Sequence, residues 1–200
     1  MIQFLPQILM IVCIVIYLFI YLKEIKRGKV KPVLATWLFF VFATILSLIT
    51  NYKETGFAGL FANAFNLIDT LAVFIIFIAI IFHKDTNKQF NKFEEGCLLA
   101  VFIVFILWIL SGENVLTHLT IQVIFVIAYL PTLIHLWKAK VNTESLSMWS
   151  FDFAASALGV IEPLRTMSLL PLVYGIRAVI STFAVVVLIL RLKYKNEKNY

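Results

Sequence analysis

Residues 17–37, YLFIYLKEIKRGKVKPVLATW, and residues 129–149, YLPTLIHLWKAKVNTESLSMW, align without a gap when the chain is shifted by 112 positions. Coincident aliphatic residues are common in an apolar chain, but tyrosine, lysine and tryptophan in one register are not. Repetition at a fixed spacing is the signature of a duplicated architecture, so the sequence predicts two equivalent halves. The matched polar and aromatic pairs are Tyr17 with Tyr129, Lys26 with Lys138, and Trp37 with Trp149.

The composition places this chain among membrane proteins. Of its 200 residues, 62% are hydrophobic and 14% are charged, whereas soluble domains are about 45–50% apolar and about 25% charged. A disordered chain needs low hydrophobicity. The composition therefore excludes both a soluble enzyme and a disordered protein.

Seven apolar segments are long enough to suggest membrane spans, which need roughly 20 apolar residues. Lipid offers no partner to backbone N–H and C=O groups, so such segments must be helices. The predicted spans are 4–22, 33–50, 57–82, 96–111, 115–137, 146–162 and 168–190.

The positive charges predict the orientation of these spans. Fourteen lysines and arginines fall after spans 1, 3, 5 and 7, and only Lys53 and Arg165 fall in the alternate connections. Cytoplasmic loops carry the excess of basic residues, so we expect the N-terminus outside and the C-terminus in the cytoplasm. The net charge of +6 reflects this asymmetry beside a lipid bilayer and predicts no nucleic-acid partner.

An odd number of spans in each half makes the halves parallel. The predicted fold is an all-α integral membrane protein of seven transmembrane helices, with two parallel three-helix repeats joined by a linker helix (3+1+3). The predicted units are a first bundle at 1–82, a cytoplasmic loop and linker helix at 83–114, a second bundle at 115–190 and a basic cytoplasmic tail at 191–200.

The stretch Tyr129–Lys140, followed by Thr143–Ser147, carries a family resemblance. It has a proline within a helix, then basic residues and a Thr-Glu-Ser stretch before the next span, and it resembles the PQ-loop and SWEET superfamily. Pro131-Thr132 stands where that family has Pro-Gln. In the first repeat, Lys29–Pro32 before Trp37 is similar to a poorly characterised group of bacterial members.

Pro131 removes a helix hydrogen bond and kinks span 5. The resemblance implies a hinge for alternating access at this point, and a static kink is the alternative. The paired Trp37 and Trp149 lie near the cytoplasmic ends of their spans. They are interpreted either as part of an aromatic belt or as an inner-gate stacking pair.

Ionisable residues within spans usually face the interior of the bundle. Asp69 lies at the centre of predicted span 3, and Arg177 lies about a third of the way into span 7. The repeat register offsets them by four residues, roughly 6 Å along the axis, so we predict an Asp69–Arg177 pair. It could bind a solute, gate its path, or lock the bundles together.

Other polar residues give further candidates. Asn63, Asn66 and Asp69 are spaced to share one helix face; the family resemblance implies that an asparagine here contacts the solute, and interhelical hydrogen bonding is the alternative. Asp152 could accept protons or pair with a loop lysine. His118, at the outer start of span 5, is expected to be hydrated. The small residues of Ala154–Gly159 predict close helix packing.

The sequence contains no phosphate-binding loop, Ser-His-Asp motif or paired His and Cys ligands. We therefore predict no catalytic residues, no metal site and no cofactor. The expected function is that of a carrier or facilitator for a small polar solute, working by alternating access in the plasma membrane of a bacterium. The alternative is a receptor-like or accessory binding protein on the same scaffold.

Overall fold

The long apolar segments fold into helices. The computed structural model describes residues 4–83, 90 and 92–197, and its regular structure within these ranges is helical. Residues 1–3 of the predicted first bundle, 84–89 and 91 of the predicted linker and 198–200 of the predicted tail lie outside the described residues. The helices are α1 (Leu5–Lys26), α2 (Leu34–Ala62), α3 (Ala64–Phe82), α4 (Lys92–Ser111), α5 (Asn114–Lys138), α6 (Leu146–Gly159), α7 (Ile161–Thr166) and α8 (Leu169–Glu197).

Within the described ranges, five of these helices contain a stretch long and apolar enough to cross a membrane. These stretches are Leu5–Lys26, Leu34–Phe57, Ala64–Phe82, Asn114–Lys138 and Leu169–Lys195. Large apolar side chains cover the outside of the helices: Phe19, Leu110 and Phe82 expose 68%, 77% and 81% of their surface. An apolar exterior of this extent is typical of contact with lipid, and the chain is a helical protein of the membrane type.

The two remaining apolar segments form shorter helices. Leu98–Ser111 is the apolar stretch of α4. The 14 residues of α6 rise by about 21 Å at 1.5 Å per residue, which is less than the hydrocarbon thickness of about 30 Å. α6 and the short α7 together cover the predicted sixth span.

The helix predicted over 57–82 is broken. Gly56 has φ +67° and ψ −163°, a conformation that only glycine adopts at low cost, and the chain then forms a short helical turn before Asn63. Asn63 is the N-cap of α3 rather than a residue within it. Asp69 is consequently the sixth residue of α3, near its start, and the prediction that it lies at the centre of the span is wrong.

Three connections predicted as loop or tail are partly helical. α2 continues beyond residue 50 as far as the break at Gly56. α7 includes Pro163 in its first turn, where a missing N–H costs no hydrogen bond. α8 continues past residue 190 to Glu197.

The helices pack in two groups with the same internal arrangement. In the first group, α3 packs against both α1 and α2; in the second group, α8 packs against both α5 and α6. The 112-residue shift relates α1 to α5 and α2 to α6. The contacts between the groups follow this relation, since α1 packs on α6 and α2 packs on α5. α4 packs against α5 and α2.

Two connections meet at one end of the helices, where the backbone N–H of Lys31 donates to the carbonyl oxygen of Thr143 over 3.1 Å. α1 and α5 also finish here, with Lys26 and Lys138 in their last turns. We call this the basic end. The opposite end holds the starts of α5 and α8.

Gly159 allows α6 to approach α3 closely. A Cβ atom at this position would lie 2.7 Å from Cγ and 2.9 Å from Cβ of Phe65. These distances are too short for real atoms, and the Phe65 Cβ is fixed to the backbone of α3. The small-residue segment predicted to allow close packing therefore does so at its last residue.

We expect Gly159→Ala to destabilise the protein by about 1–3 kcal/mol, because overpacking forces side chains and backbone to shift. The change would appear as a lower midpoint of thermal unfolding of the detergent-purified protein. Gly96→Ala is the matched control, since a Cβ there meets no atom within 4 Å. Equal midpoints for the two variants would contradict the close contact.

Candidate functional site

A central cavity lies where the two helix groups meet. Its volume of about 20 Å³ is enough for one water-sized group. The walls are largely aromatic and include two carboxylates and one guanidinium. The lining residues come from α1 (Tyr17), α2 (Trp37, Phe40, Thr44), α3 (Phe65, Asp69, Val73), α5 (Phe125, Tyr129), α6 (Met148, Trp149, Asp152, Ser156) and α8 (Arg177, Ala178, Thr182).

Asp69 is held by two tyrosines from different groups. Its Oδ1 accepts a hydrogen bond of 2.9 Å from the hydroxyl of Tyr17, and its Oδ2 accepts one of 2.7 Å from the hydroxyl of Tyr174. Both tyrosines are fully buried. A carboxylate in an apolar interior needs such donors, and these two connect α3 to α1 and α8.

Arg177 lies against aromatic rings. Its guanidinium carbon is 4.0 Å from the ring centre of Phe125 and 4.6 Å from that of Tyr174, which are cation–π distances. Its Nε donates to Oε1 of Gln122 over 3.3 Å. Its Nη2 is buried and has no hydrogen-bond partner among the residues that the structure describes.

The predicted direct pair between Asp69 and Arg177 is not formed, although both line the central cavity. Tyr174 connects them instead. Its ring makes the cation–π contact with the guanidinium of Arg177, and its hydroxyl donates to the carboxylate of Asp69. The predicted axial offset between Asp69 and Arg177 leaves room for a third side chain between them. The sequence analysis does not identify Tyr174 as that side chain.

Asp152 lies in the central cavity. It is 8% exposed and shares the cavity with Asp69 and Arg177. Among the described residues no lysine forms an ion pair with its carboxylate. Lys84 and Lys88 of the predicted loop lie outside the described residues, so both alternatives for Asp152 stay predictions.

The two asparagines predicted near the solute lie outside the cavity lining. Nδ2 of Asn66 donates to Oγ of Ser47 in α2 over 3.0 Å, and Oδ1 of Asn66 accepts from the hydroxyl of Thr70 over 3.3 Å. Asn66 thus links α3 to α2, which is the interhelical alternative. Asn63 is also buried, and within the described ranges its Nδ2 has no hydrogen-bond partner.

Trp37 and Trp149 are both buried and both line the cavity on the side of the basic end. Trp37 packs against Tyr21 with 5.2 Å between ring centres, and Trp149 packs against Tyr129 at 6.0 Å. The two tryptophans therefore stack on tyrosines rather than on each other. Their burial contradicts a place in a lipid-facing belt.

Glu144 lies at the basic end, next to Trp149 of the cavity lining. Its Oε2 accepts hydrogen bonds from the hydroxyl of Tyr21 at 3.2 Å and from Nε1 of Trp149 at 3.0 Å. Asn142 holds the Glu144 backbone through two hydrogen bonds of 2.7 and 3.0 Å. We call Tyr21, Trp37, Glu144 and Trp149 the basic-end cover.

Burial raises the pKa of the Glu144 carboxyl from 4.5 to about 7. The hydrogen bonds from Trp149 and Tyr21 lower this pKa, and the neighbouring carboxylate of Glu24 raises it further. Glu144 was not singled out from the sequence. The available signal was its place in the Thr-Glu-Ser stretch, five residues before a repeat-related tryptophan.

A second polar layer lies toward the opposite end, next to Arg177 of the cavity lining. Nε2 of His118 lies 3.2 Å from the carbonyl oxygen of Leu170, and Nδ1 lies 3.2 Å from the hydroxyl of Thr50. Gln122 continues the layer by donating to the carbonyl oxygen of His118 over 3.2 Å. His118 is fully buried, so the prediction that it is hydrated is wrong. We call Thr50, His118, Gln122 and Leu170 the opposite cover.

Pro131 lies inside α5 as predicted. The next residue, Thr132, is buried, and its hydroxyl lies 3.3 Å from that of Thr36 in α2. Thr132 therefore contacts the other group at the position where the PQ-loop family has glutamine. The hinge at Pro131 stays a prediction.

No family model, curated protein or solved structure matches this chain.

Proposed function

We propose that this chain is a seven-span carrier for a small polar solute, with two parallel three-helix groups joined by α4. The exchange of helix contacts under the 112-residue shift supports the 3+1+3 arrangement. Parallel repeats related by an axis along the membrane normal are one of the common plans of transporters, with the solute site near the midplane between repeats. We place the carrier in the plasma membrane of a bacterium, in line with the resemblance to the PQ-loop and SWEET superfamily.

The observation that carries this proposal is an unsatisfied charged group in the central cavity. Nη2 of Arg177 is buried and has no hydrogen-bond partner among the described residues, and the side chain of Asp152 lines the same cavity. Buried groups of this kind are costly to leave unpaired. A protein that only needed a stable core would gain by apolar residues at these positions, whereas a solute can supply the missing partner.

These groups also define the chemistry of the solute. An acceptor on the solute would bind Nη2 of Arg177, and an ammonium or hydroxyl group would donate to Asp152. The aromatic walls favour a cation, since ring faces attract positive charge. A small zwitterion or a polar amine therefore fits better than a neutral sugar.

The two covers support alternating access. The cavity of about 20 Å³ must widen to admit a solute, and separate sets of hydrogen bonds close its two ends. Glu144 links α1 to α6 at the basic end, while His118 links α5 to α2 and α8 at the opposite end. Breaking one set while the other persists would open one side at a time, with Pro131 as a hinge within α5.

Uptake into proteoliposomes tests the proposal. We would supply labelled amino acids, polar amines and sugars as three separate pools, and we expect accumulation from one of the first two pools. Asp152→Asn should reduce that uptake while the protein remains folded. Saturable binding without uptake would contradict the carrier and match the receptor-like alternative.

A further inference from the structure

We propose that the groove between α5 and α8 at the basic end binds an anionic phospholipid. The groove has a volume of about 470 Å³, which lies in the range of about 300–1,000 Å³ found for ligand pockets. It is separate from the central cavity, and the proposal rests on the membrane placement of the chain rather than on its carrier function. The walls are Leu133, Ile134, Trp137 and Lys138 of α5 with Ala184, Val187 and Leu188 of α8.

The lining of the groove matches an amphiphile, because apolar side chains line its length and cations lie at one end. On α8 the apolar stripe follows helical spacing at Ala184, Val187 and Leu188, and the next residue on that face is Arg191. On α5 the stripe ends at Lys138. An acyl chain would lie along both stripes, and the phosphate would lie between the two cations.

Arg191 is already positioned at the mouth of the groove. Its guanidinium carbon lies 4.0 Å from the ring centre of Trp137, and Trp137 is 62% exposed. Neither Arg191 nor Lys138 forms an ion pair with an acidic residue among those that the structure describes. Two cations without an acidic partner in the described part of the chain, placed beside an apolar groove, complement an anionic headgroup, and basic pockets between membrane helices bind such lipids.

The first helix group provides an internal comparison. The 112-residue shift places Ile25 opposite Trp137, Lys26 opposite Lys138 and Ala79 opposite Arg191. The tryptophan and the arginine are therefore features of the second group and not of the repeated plan. Lys26 becomes the matched control for Lys138.

Fluorescence quenching by brominated lipids tests the site, because Trp137 is exposed whereas Trp37, Trp108 and Trp149 are 3%, 8% and 1% exposed. The protein would be placed in phosphatidylcholine nanodiscs that contain a small fraction of dibrominated phosphatidylglycerol or, in parallel, of dibrominated phosphatidylcholine. We expect the anionic lipid to be enriched at Trp137 by about tenfold. Trp137→Phe should remove the quenched signal.

The variants decide the outcome. Lys138→Gln combined with Arg191→Gln should bring the two lipids to equal quenching, while Lys26→Gln should keep the preference. Equal quenching in the parent protein, or a preference retained by the double variant, would overturn the proposal. Displacement of the brominated lipid by millimolar glycerol phosphate would indicate a site for a free anion. If Trp137 is protected from quenching, and this protection disappears when each nanodisc holds one copy of the chain, a second copy occupies the groove. Either result would also overturn the proposal.

Discussion

Replacing Asp69 by asparagine is expected to reduce uptake by about 10- to 100-fold without unfolding the protein. Asp69 is a carboxylate in the central cavity, beside Arg177 and Asp152. A hydrogen bond to a charged group contributes about 1.5–3 kcal/mol, and asparagine removes a negative charge from the cavity in which a cationic solute would bind. The measurement is the initial rate of uptake into proteoliposomes at matched protein content.

The fold should tolerate this change because a tyrosine hydroxyl both donates and accepts. Oδ1 of an asparagine can accept from one tyrosine, and its amide can donate to the other, so Tyr17 and Tyr174 keep their contacts. Glu54→Gln is the matched control, since Glu54 is an exposed carboxylate whose one described contact is a hydrogen bond of 3.4 Å from Asn114. Full uptake by Asp69→Asn would exclude the cavity as the solute site.

The second large effect is a loss of stability as the pH rises, and it originates at Glu144. Burial raises the pKa of this carboxyl from 4.5 to about 7, so the folded protein binds a proton that the unfolded chain has released. The contribution of Glu144 to stability is then largest below about pH 4.5, is lost as the pH rises through about 7, and levels above it. At 1.36 kcal/mol per pH unit, the fall amounts to about 3 kcal/mol.

Glu144→Gln should remove this dependence. Glutamine keeps an oxygen that can accept from Tyr21 and Trp149, but it has no proton to lose in this range. The variant should therefore be more stable than the parent protein at pH 8 and similar to it at pH 5, as measured by thermal unfolding across the pH series. Glu113→Gln, at an exposed position, is the control. A parent protein whose stability rises from pH 5 to pH 8 would contradict the buried site.

The basic-end cover depends on the same carboxyl. When Glu144 ionises, the buried charge weakens the closed arrangement of α1 and α6, so the cavity should open to the basic end more readily at pH 8 than at pH 5. The measurement is the uptake rate while the pH is changed on one side of the membrane at a time. The rate should change when the pH changes on the side that faces the basic end.

The repeat register predicted much of the site. Tyr17, Tyr129, Trp37 and Trp149 were aligned from the sequence, and all four line the cavity. The reason is physical: the two helix groups share one internal arrangement, so residues at equivalent positions meet at the cavity between the groups. Asp69, Asp152 and Arg177 were identified because charge within an apolar helix is costly and faces inward.

The predictions that the structure does not bear out have a different physical origin. Asn66 shares α3 with Asp69 as predicted, but its amide faces Ser47 of α2 rather than the cavity. The periodic pattern also does not reveal that α3 begins after Asn63. His118 was judged by its place at the end of a span, although neighbouring helices extend far enough to bury it. Tyr174 carries no charge, so nothing in its local sequence distinguished it from the aromatic residues that only fill the core.

The duplicated backbone carries charges that are not duplicated. Under the 112-residue shift, Asp69 corresponds to Ser181, Asp152 to Phe40 and Arg177 to Phe65, so each charged position has an uncharged counterpart. A dimer of either half alone would repeat its own charges, with two copies of Asp69 from the first half, or two copies each of Asp152 and Arg177 from the second. In the whole chain the charges around the cavity are instead asymmetric, so the electric field across the cavity has a fixed direction. A dipolar molecule in the cavity would therefore have one preferred orientation.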